Sequence, residues 1–226
     1  MGLYHKNMPL CYNQEKVEYN QKGVMMKILI CLIIGYLIGS IPWGLVIGKV
    51  FFNKDIRQYG SGNLGGTNAG RVLGTPIGIL VILLDALKAF IVMIIVNKIY
   101  PGFEQYAGLA VCIGHCFPIF AGFKGGKAVA CSYGYFLGLA MFVTHDYVFS
   151  FLSPAIVFFI VLALSRMVSL SSMIGVFSGA ITIFIFDDHL CGLLVLCLSL
   201  FVIYRHSANI ERIKNGTESK IGPKKK

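Results

Sequence analysis

The chain has 226 residues, of which 56% are hydrophobic and only 13% are charged, and its formal net charge is +10. Soluble domains usually carry about a quarter charged residues. This composition excludes an ordinary soluble domain, a secreted disulfide scaffold, a disordered protein and, despite the positive charge, an ordinary nucleic-acid binder.

Long apolar runs predict helices that cross a membrane, since about 20 apolar residues span the hydrocarbon core. We expect an all-α polytopic membrane protein of about seven transmembrane helices, near residues 28–48, 76–97, 105–120, 128–143, 149–165, 169–186 and 190–204. The run at 105–120 is interrupted by Gly108, Gly114 and Pro118. We expect that segment to tilt or to pack behind other helices.

Lysine and arginine fall in alternate connections, at residues 49–75, 121–127, 166 and after 204. Positively charged loops are retained on the cytoplasmic side of a membrane. The pattern therefore predicts an N-terminus outside and a C-terminus in the cytoplasm, with the polar segments on the cytoplasmic side.

The first 24 residues oppose this charge rule and lack the apolar core and cleavage site of a signal peptide. We expect residues 1–24 to be a disordered leader, or a start site placed too far upstream, with Met25 or Met26 a better beginning. Residues 25–221 then form a single membrane domain, followed by a basic tail at 222–226.

The first polar segment, residues 55–71, is called the glycine segment here. It contains five glycines and no hydrophobic period. Glycine at this density lets backbone N–H groups turn toward an anion, and hydroxyl, amide and guanidinium groups suit phosphate oxygens. A flexible connection between spans is the alternative interpretation. The candidate ligands are Gly60, Ser61, Gly62, Asn63, Thr67, Asn68 and Arg71.

Within this segment Gly60, Gly62 and Gly65 match a dinucleotide-binding pattern, and Asp85 follows at a suitable spacing. That pattern requires a preceding buried strand. Here a charged segment precedes it and Asp85 lies in an apolar span, so we reject dinucleotide binding.

The second segment, the Gly-Gly-Lys turn at residues 124–127, opens the next predicted helix with Gly125, Gly126 and Lys127. Helix N-termini attract anions. It is not a Walker A loop, because Ala121 and Ala128 stand where a glycine and a magnesium-binding hydroxyl are needed. Phosphate binding without nucleotide hydrolysis is predicted; two lysines that mark a membrane boundary are the alternative.

The third, the C-terminal segment at residues 204–220, contains Arg205, His206, Asn209 and Arg212. In a helix these side chains share or flank one face at spacings of three and four. A histidine among arginines favours a phosphate or proton-transfer site. A boundary histidine is the alternative.

Asp85 and Lys88 stand three residues apart within the second span, where ionisable groups are costly. A structural ion pair is the leading interpretation, and lining of a reaction cleft is the second. The seven cysteines have no metal or redox spacing. We therefore expect no metal and no cofactor.

Four ordered stretches carry a resemblance to a known family: Gly39–Pro42, GSGNLGGTN with Arg71, GFKGGKAVA, and YRHSANIERIKNGTESK. Over about residues 26–221 the chain resembles the bacterial membrane-integral acyl phosphate:glycerol-3-phosphate acyltransferases of the PlsY family. The resemblance implies transfer of a fatty acyl group from acyl phosphate to glycerol 3-phosphate, giving lysophosphatidic acid and phosphate in phospholipid biosynthesis. The implied partners are these two substrates, membrane lipids and a soluble enzyme that supplies acyl phosphate.

The resemblance also implies roles. Ser61, Arg71, His206 and Asn209 fall on catalytic positions of the family. The remaining positions bind substrate or phosphate, with Ser172 matched less securely: Gly60, Gly62, Asn63, Thr67, Asn68, Gly125, Gly126, Lys127, Ser172 and Arg205.

The chain departs from the family pattern at Gly66, which replaces a usual Ala, and at Ala128, which replaces the last Gly of GGKG, besides Cys131 and Ser207. We expect only Ala128 to matter, because a positive φ there would strain a residue with a Cβ. We expect it to lie in the first helical turn, where alanine is favourable.

The chemistry needs no metal and no covalent intermediate, because an acyl phosphate carries its own leaving group. His206 is expected to activate the glycerol hydroxyl, or to bind phosphate while a substrate oxygen takes the proton; both routes stay open. A transporter with a cytoplasmic anion site is the alternative function, and it predicts polar groups near the bilayer midplane and repeat symmetry.

Overall fold

The structure is a computed structural model that describes the backbone of residues 10–222 and the side chains of residues 21–222. Across that part of the chain every regular element is a helix, as predicted. Short 3-10 turns at Ile56–Gln58 and Ile119–Ala121 and a π-helical turn at Val148–Leu152 separate some of the α-helices. The α-helices are α1 Leu10–Gly39, α2 Trp43–Phe52, α3 Gly66–Leu73, α4 Thr75–Ile99, α5 Glu104–Cys116, α6 Val129–Phe142, α7 Ser153–Ser165, α8 Val168–Phe186, α9 His189–Arg205 and α10 Ser207–Lys214.

Four segments have the length and hydropathy of a membrane span: Gln21–Phe52, Thr75–Ile99, Val148–Ser165 and Val168–Phe186. The pair α9 and α10, bent by 59°, counts as a fifth. The predicted third and fourth spans correspond to α5 and α6, which have only 13 and 14 residues. At 1.5 Å per residue each is about 20 Å long, shorter than the hydrocarbon core. The seven-span count and the orientation of the termini stay predictions.

The first predicted span, 28–48, lies within the candidate span Gln21–Phe52, but this span is made of two helices and not one. α1 ends at Gly39 and α2 begins at Trp43, directly after Pro42, which has no N–H to continue a helix. α1 also extends back to Leu10, through backbone assigned to the leader. The predicted division into leader, domain and tail stays a prediction, and residues 1–9 and 223–226 lie outside the described residues.

The main core lies where α4, α5, α6, α8 and α9 meet. Its largest fully buried side chains are Met93, Tyr135, Phe136, Leu139 and Ile183. The outward faces of α4 and α7 are apolar and exposed, as expected for helices that face lipid. A second, smaller core packs α2 and the glycine segment against α4 through Leu45, Ile56, Leu64, Ala69 and Val81.

Glycines allow α3 to lie directly on α4. A Cβ built on Gly78 would stand 2.6 Å from Gly70 Cα, and one built on Gly66 would stand 2.6 Å from the Gly78 carbonyl oxygen. Small residues let helix backbones approach closely within membranes. The expectation that only Ala128 matters among the departures is therefore wrong, since Gly66 also has no space for the methyl group of the family's usual alanine.

Gly66→Ala should destabilise the protein, although alanine favours helix by about 1 kcal/mol, because overpacking of a filled contact costs about 1–3 kcal/mol. Gly70→Ala is the matched control, since its Cβ would meet Gly78 Cα at an ordinary 3.5 Å. Thermal unfolding in detergent should show a lower Tm for Gly66→Ala only. Equal Tm values for wild type and Gly66→Ala would contradict this account of the packing.

Candidate functional site

Asn68 organises the glycine segment from inside. Its Oδ1 accepts the Ser61 N–H at 2.8 Å, and its Nδ2 donates to the carbonyls of Ile56 and Tyr59 at 3.0 and 3.2 Å. Asn68 is buried in α3. Because both ends of its amide are occupied by backbone, Asn68 shapes the segment around Ser61, and this differs from the predicted direct contact with phosphate.

The turns of the glycine segment depend on glycine. Gly60 and Gly62 have φ of +60° and +69°, a region that side chains with a Cβ rarely adopt. The Asn63 side chain accepts the Gly65 N–H at 2.9 Å and closes a local turn. The predicted ligands Ser61, Thr67 and Arg71 are therefore exposed. Ser61 lies in the loop, and Thr67 and Arg71 lie in α3, Arg71 in its last turn.

The Gly-Gly-Lys turn packs on the C-terminal end of α5. The Gly126 N–H donates to the His115 carbonyl at 3.0 Å, and the Gly125 N–H donates to the Cys116 carbonyl at 3.1 Å. These two N–H groups therefore cap α5. Both N–H groups are thus engaged in this conformation, and the predicted phosphate binding by Gly125 and Gly126 stays a prediction. Glycine is needed at both positions because a Cβ on either would collide with α5.

Arg205 holds the other side of the same turn. Its Nη2 donates to the Gly126 carbonyl at 3.1 Å, and its guanidinium lies over the Phe117 ring, 5.3 Å from the centroid. Arg205 therefore joins the end of α9 to the turn. The predicted phosphate contact of Arg205 stays a prediction; in this structure Arg205 positions the Gly-Gly-Lys turn.

Ala128 does not lie in the first helical turn, and that expectation is wrong. It is the N-cap of α6 with φ +60° and ψ 5°, and it is fully buried. Its carbonyl begins the helix by accepting the Ser132 N–H at 2.7 Å. A left-handed conformation costs a residue with a Cβ about 1–2 kcal/mol. The chain therefore retains backbone strain directly after Lys127.

Lys127 and the C-terminal segment form one hydrogen-bonded network. Lys127 Nζ donates to Asn209 Oδ1, and Asn209 Nδ2 donates to Glu218 Oε1 at 2.7 Å. Glu218 also accepts from Ser169 Oγ and from Arg212 Nε, each at 2.7 Å. Partial burial raises the pKa of Glu218, but these three hydrogen bonds outweigh it and lower the pKa overall. The ionised carboxylate thus links α8 to α10.

Glu218, Ser169 and Arg212 were absent from the predicted site residues. The sequence shows Glu218 as an acidic residue within a basic segment, but only the structure shows that Ser169, Asn209 and Arg212 donate to it. Ser172, which was predicted, instead bonds the Val168 carbonyl within α8 at 2.7 Å. Within residues 21–222, this is the side-chain hydrogen bond found for Ser172, and it does not involve another predicted site residue.

His206 lies at the bend between α9 and α10, buried. Its Nδ1 is 2.7 Å from the Val202 carbonyl, which can only accept, so Nδ1 carries the proton of the neutral ring and Nε2 is left as an acceptor. Burial lowers the pKa of His206 to about 4, and the charges of Lys127 and Arg205 act in the same direction. The imidazole is therefore neutral at physiological pH.

Electrostatics connect the three segments. Burial is the main cause that lowers the pKa of Lys127 to about 8, and the charges of Arg212, Arg205 and Arg71 lower it further. Arg71 belongs to the glycine segment, so its field reaches the Gly-Gly-Lys turn. The arrangement has several cations and one carboxylate, which suits an anion with more than one charge.

The predicted ion pair within α4 is confirmed: Lys88 Nζ lies 2.8 Å from Asp85 Oδ1. His115 of α5 joins it, with Nδ1 3.3 Å from the same oxygen. Asp85, His115 and Cys131 offer ligand atoms within 4.8 Å of one another, the one such buried group found among residues 21–222. Lys88 already contacts the carboxylate and the imidazole, so the group is poorly suited to a metal ion.

Comparison with known proteins agrees with this geometry. The model of the family described as glycerol-3-phosphate acyltransferase matches residues 29–216. The chain is 47% identical to the glycerol-3-phosphate acyltransferase of Macrococcus caseolyticus, over 88% of this chain and 100% of that protein. It is 44% identical to that of Listeria monocytogenes, over 87% and 98%.

Solved structures give the same result. The fold is similar to a crystal structure of PlsY (YgiH), an integral membrane glycerol 3-phosphate acyltransferase in its glycerol 3-phosphate form, with TM-score 0.78 and 35% identity over 86% of this chain and 96% of that chain. The lysophosphatidic acid form of PlsY gives TM-score 0.75 at 34% identity, over 86% and 95%. This chain, with its three polar segments gathered around Lys127, belongs to the glycerol-3-phosphate acyltransferase family of integral membrane proteins.

Proposed function

We propose that this protein transfers a fatty acyl group from acyl phosphate to glycerol 3-phosphate, producing lysophosphatidic acid (1-acyl-glycerol 3-phosphate) and inorganic phosphate. Family membership supports acyl transfer to glycerol 3-phosphate, and the PlsY structures in their glycerol 3-phosphate and lysophosphatidic acid forms name an acceptor and a product. The observation that carries the proposal is a buried neutral imidazole beside a cation-rich phosphate site.

The donor follows from the chemistry available to the chain. The glycerol oxygen attacks the acyl carbonyl carbon, the bond from that carbon to the phosphate oxygen breaks, and phosphate leaves. The acyl phosphate brings one phosphate group and glycerol 3-phosphate brings another, and the exposed Arg71 and the ammonium of Lys127 are two cations that can bind them. These cations stabilise the charge that develops on the leaving phosphate.

Five of the predicted residues then have defined roles. Lys127 and Arg71 bind substrate phosphates, Ser61 hydrogen-bonds one of them, and Asn209 holds Lys127 in place. His206 Nε2 either accepts the hydroxyl proton or hydrogen-bonds the substrate while a phosphate oxygen accepts it. The chemistry of an acyl phosphate requires neither a metal nor a covalent enzyme intermediate.

The proposed location is the bacterial cytoplasmic membrane, with the site at its cytoplasmic face. The support is the concentration of lysine and arginine in the connections that contain the three polar segments. Glycerol 3-phosphate reaches such a site from water, and the acyl chain reaches it along the apolar helices. A soluble enzyme that makes acyl phosphate is the proposed source of the donor.

The test is purified protein in lipid-containing micelles with radiolabelled glycerol 3-phosphate and acyl phosphate, in parallel with acyl-CoA and acyl carrier protein donors. We expect labelled lysophosphatidic acid from acyl phosphate alone. Product from acyl-CoA alone would overturn the proposed donor. A protein that moves an anion without making lysophosphatidic acid would instead support the transporter alternative.

Ser61→Ala and Arg71→Ala should each lower kcat/KM by about 100-fold, since misplacing a substrate by 1 Å can cost that much. Lys98→Ala is the control: it removes an exposed charge from the opposite end of α4. All three proteins should insert and elute as wild type. Near-normal turnover in either site variant would remove that residue from the mechanism.

The pH profile of kcat/KM should fall as pH rises through about 8, because Lys127, with its pKa lowered to about 8, then loses the charge that binds phosphate. Lys127→Arg should move this alkaline limb above pH 10, since a guanidinium stays charged. His206, with a pKa of about 4, should not contribute to the profile between pH 6 and 9. An unchanged alkaline limb in Lys127→Arg would contradict the assignment.

A further inference from the structure

Three ionisable side chains lie buried behind the Gly-Gly-Lys turn and take no part in the chemistry above. Asp85 and Lys88 come from α4 and His115 from α5, and each is 7% exposed or less. Burying such groups is costly unless each finds partners. Because burying these charges costs desolvation free energy, we expect the cluster to have a structural role in this part of the fold.

Lys88 is the centre of the cluster. Its Nζ lies 3.0 Å from the Ile41 carbonyl oxygen, 3.0 Å from His115 Nδ1 and 2.8 Å from Asp85 Oδ1. An ammonium group has three donors and no acceptor; Ile41 and His115 accept two of its hydrogen bonds, and Asp85 compensates its charge. Asp85 Oδ1 acts on Lys88 and His115 as a charge, without the angle of a hydrogen bond to either. The cluster therefore joins the α1–α2 break, α4 and α5.

The contact with Lys88 also fixes the imidazole of His115. Because the ammonium can only donate, Nδ1 of His115 is its acceptor and Nε2 carries the ring proton. The Nε2 edge of the ring lies against Gly126, where a built Cβ would collide with it. The backbone carbonyl of the same histidine accepts the Gly126 N–H. His115 thus contacts the turn with both its ring and its backbone.

Arg205 holds the other side of the turn, because its Nη2 donates to the Gly126 carbonyl. Lys127 follows directly and reaches Asn209. A displacement of His115 would therefore move Gly126 and, through it, the ammonium that is proposed to bind phosphate.

We propose that Asp85, Lys88 and His115 form a buried positioning unit that holds the Gly-Gly-Lys turn, and hence Lys127, in the geometry that binds a substrate phosphate. These residues touch neither substrate; they act through Lys127. This inference rests on the proposed function. A metal site at the same place is disfavoured because a metal would need the Asp85 and His115 atoms that Lys88 contacts.

The test is a double-mutant cycle between Lys88→Met and Lys127→Ala in the full-length protein, with KM measured for glycerol 3-phosphate and acyl phosphate. Lys88→Met should raise KM about tenfold, for the same substrate that Lys127→Ala weakens, with a smaller effect on kcat. In the Lys127→Ala background the same substitution should change KM less than about twofold, because residues that act through one another are not additive.

Glu104→Gln is the matched control. Glu104 is a buried carboxylate between α4 and α5 at their opposite ends, where Asn97 donates to it at 2.7 Å. We expect this variant to lower Tm and leave both KM values unchanged. If Lys88→Met does not fold, Asp85→Asn, which leaves Lys88 bonded to Ile41 and His115, takes its place in the cycle.

Two results would overturn the positioning unit: an unchanged KM in folded Lys88→Met, or the same fold-change in KM with and without Lys127. The wild-type measurement separates this from the proposed function. A wild-type protein that makes no lysophosphatidic acid from acyl phosphate, acyl-CoA or acyl carrier protein donors contradicts the proposed function itself. An active wild-type protein in which the effects of the two substitutions on KM are additive contradicts the positioning unit alone.

Discussion

The contact between the Gly-Gly-Lys turn and the end of α5 is the constraint on which the site depends. Gly125 and Gly126 satisfy the last carbonyls of α5, and no larger residue fits there. At the depth of a membrane boundary, an unpaired carbonyl would be costly. The same hydrogen bonds that end a short helix therefore also determine where Lys127 stands, which ties the stability of this turn to the phosphate binding proposed for Lys127.

The site gathers positive charge that would repel itself without a substrate. Burial lowers the pKa of Lys127 to about 8, the charges of Arg212, Arg205 and Arg71 lower it further, and the carboxylate of Glu218 opposes them. Arg205 Nη2 donates to the Gly126 carbonyl and the guanidinium lies over Phe117, while Arg212 pairs with Glu218. In the proposed function, a bound phosphate would relieve the remaining repulsion. An anion that binds there would therefore offset the electrostatic repulsion among the cations of the folded protein.

Much of this architecture was predictable from the sequence. The apolar runs predicted an all-helical membrane protein, and the clustered Gly, Lys, His and Asn predicted which segments meet. Side-chain roles were less accessible. Asn68 and Arg205 have the chemistry of phosphate ligands, yet the fold directs them to backbone carbonyls and N–H groups. A positive φ at Ala128 was indicated by the glycine of the family pattern at that position, but the helix preference of alanine argued for the opposite prediction, which the structure shows to be wrong.

The neutral state of His206 bears on how the proton leaves the glycerol hydroxyl. A group with a pKa of about 4 is a weak base, so full transfer to it before carbon–oxygen bond formation would be unfavourable. Attack on an acyl phosphate, however, makes the hydroxyl proton strongly acidic as the new bond forms, and a fixed Nε2 acceptor then needs only to share it. Any anion that binds beside His206 stabilises the imidazolium and raises its pKa. The two open routes thus converge, because the substrate phosphate that would accept the proton directly also makes His206 a better base.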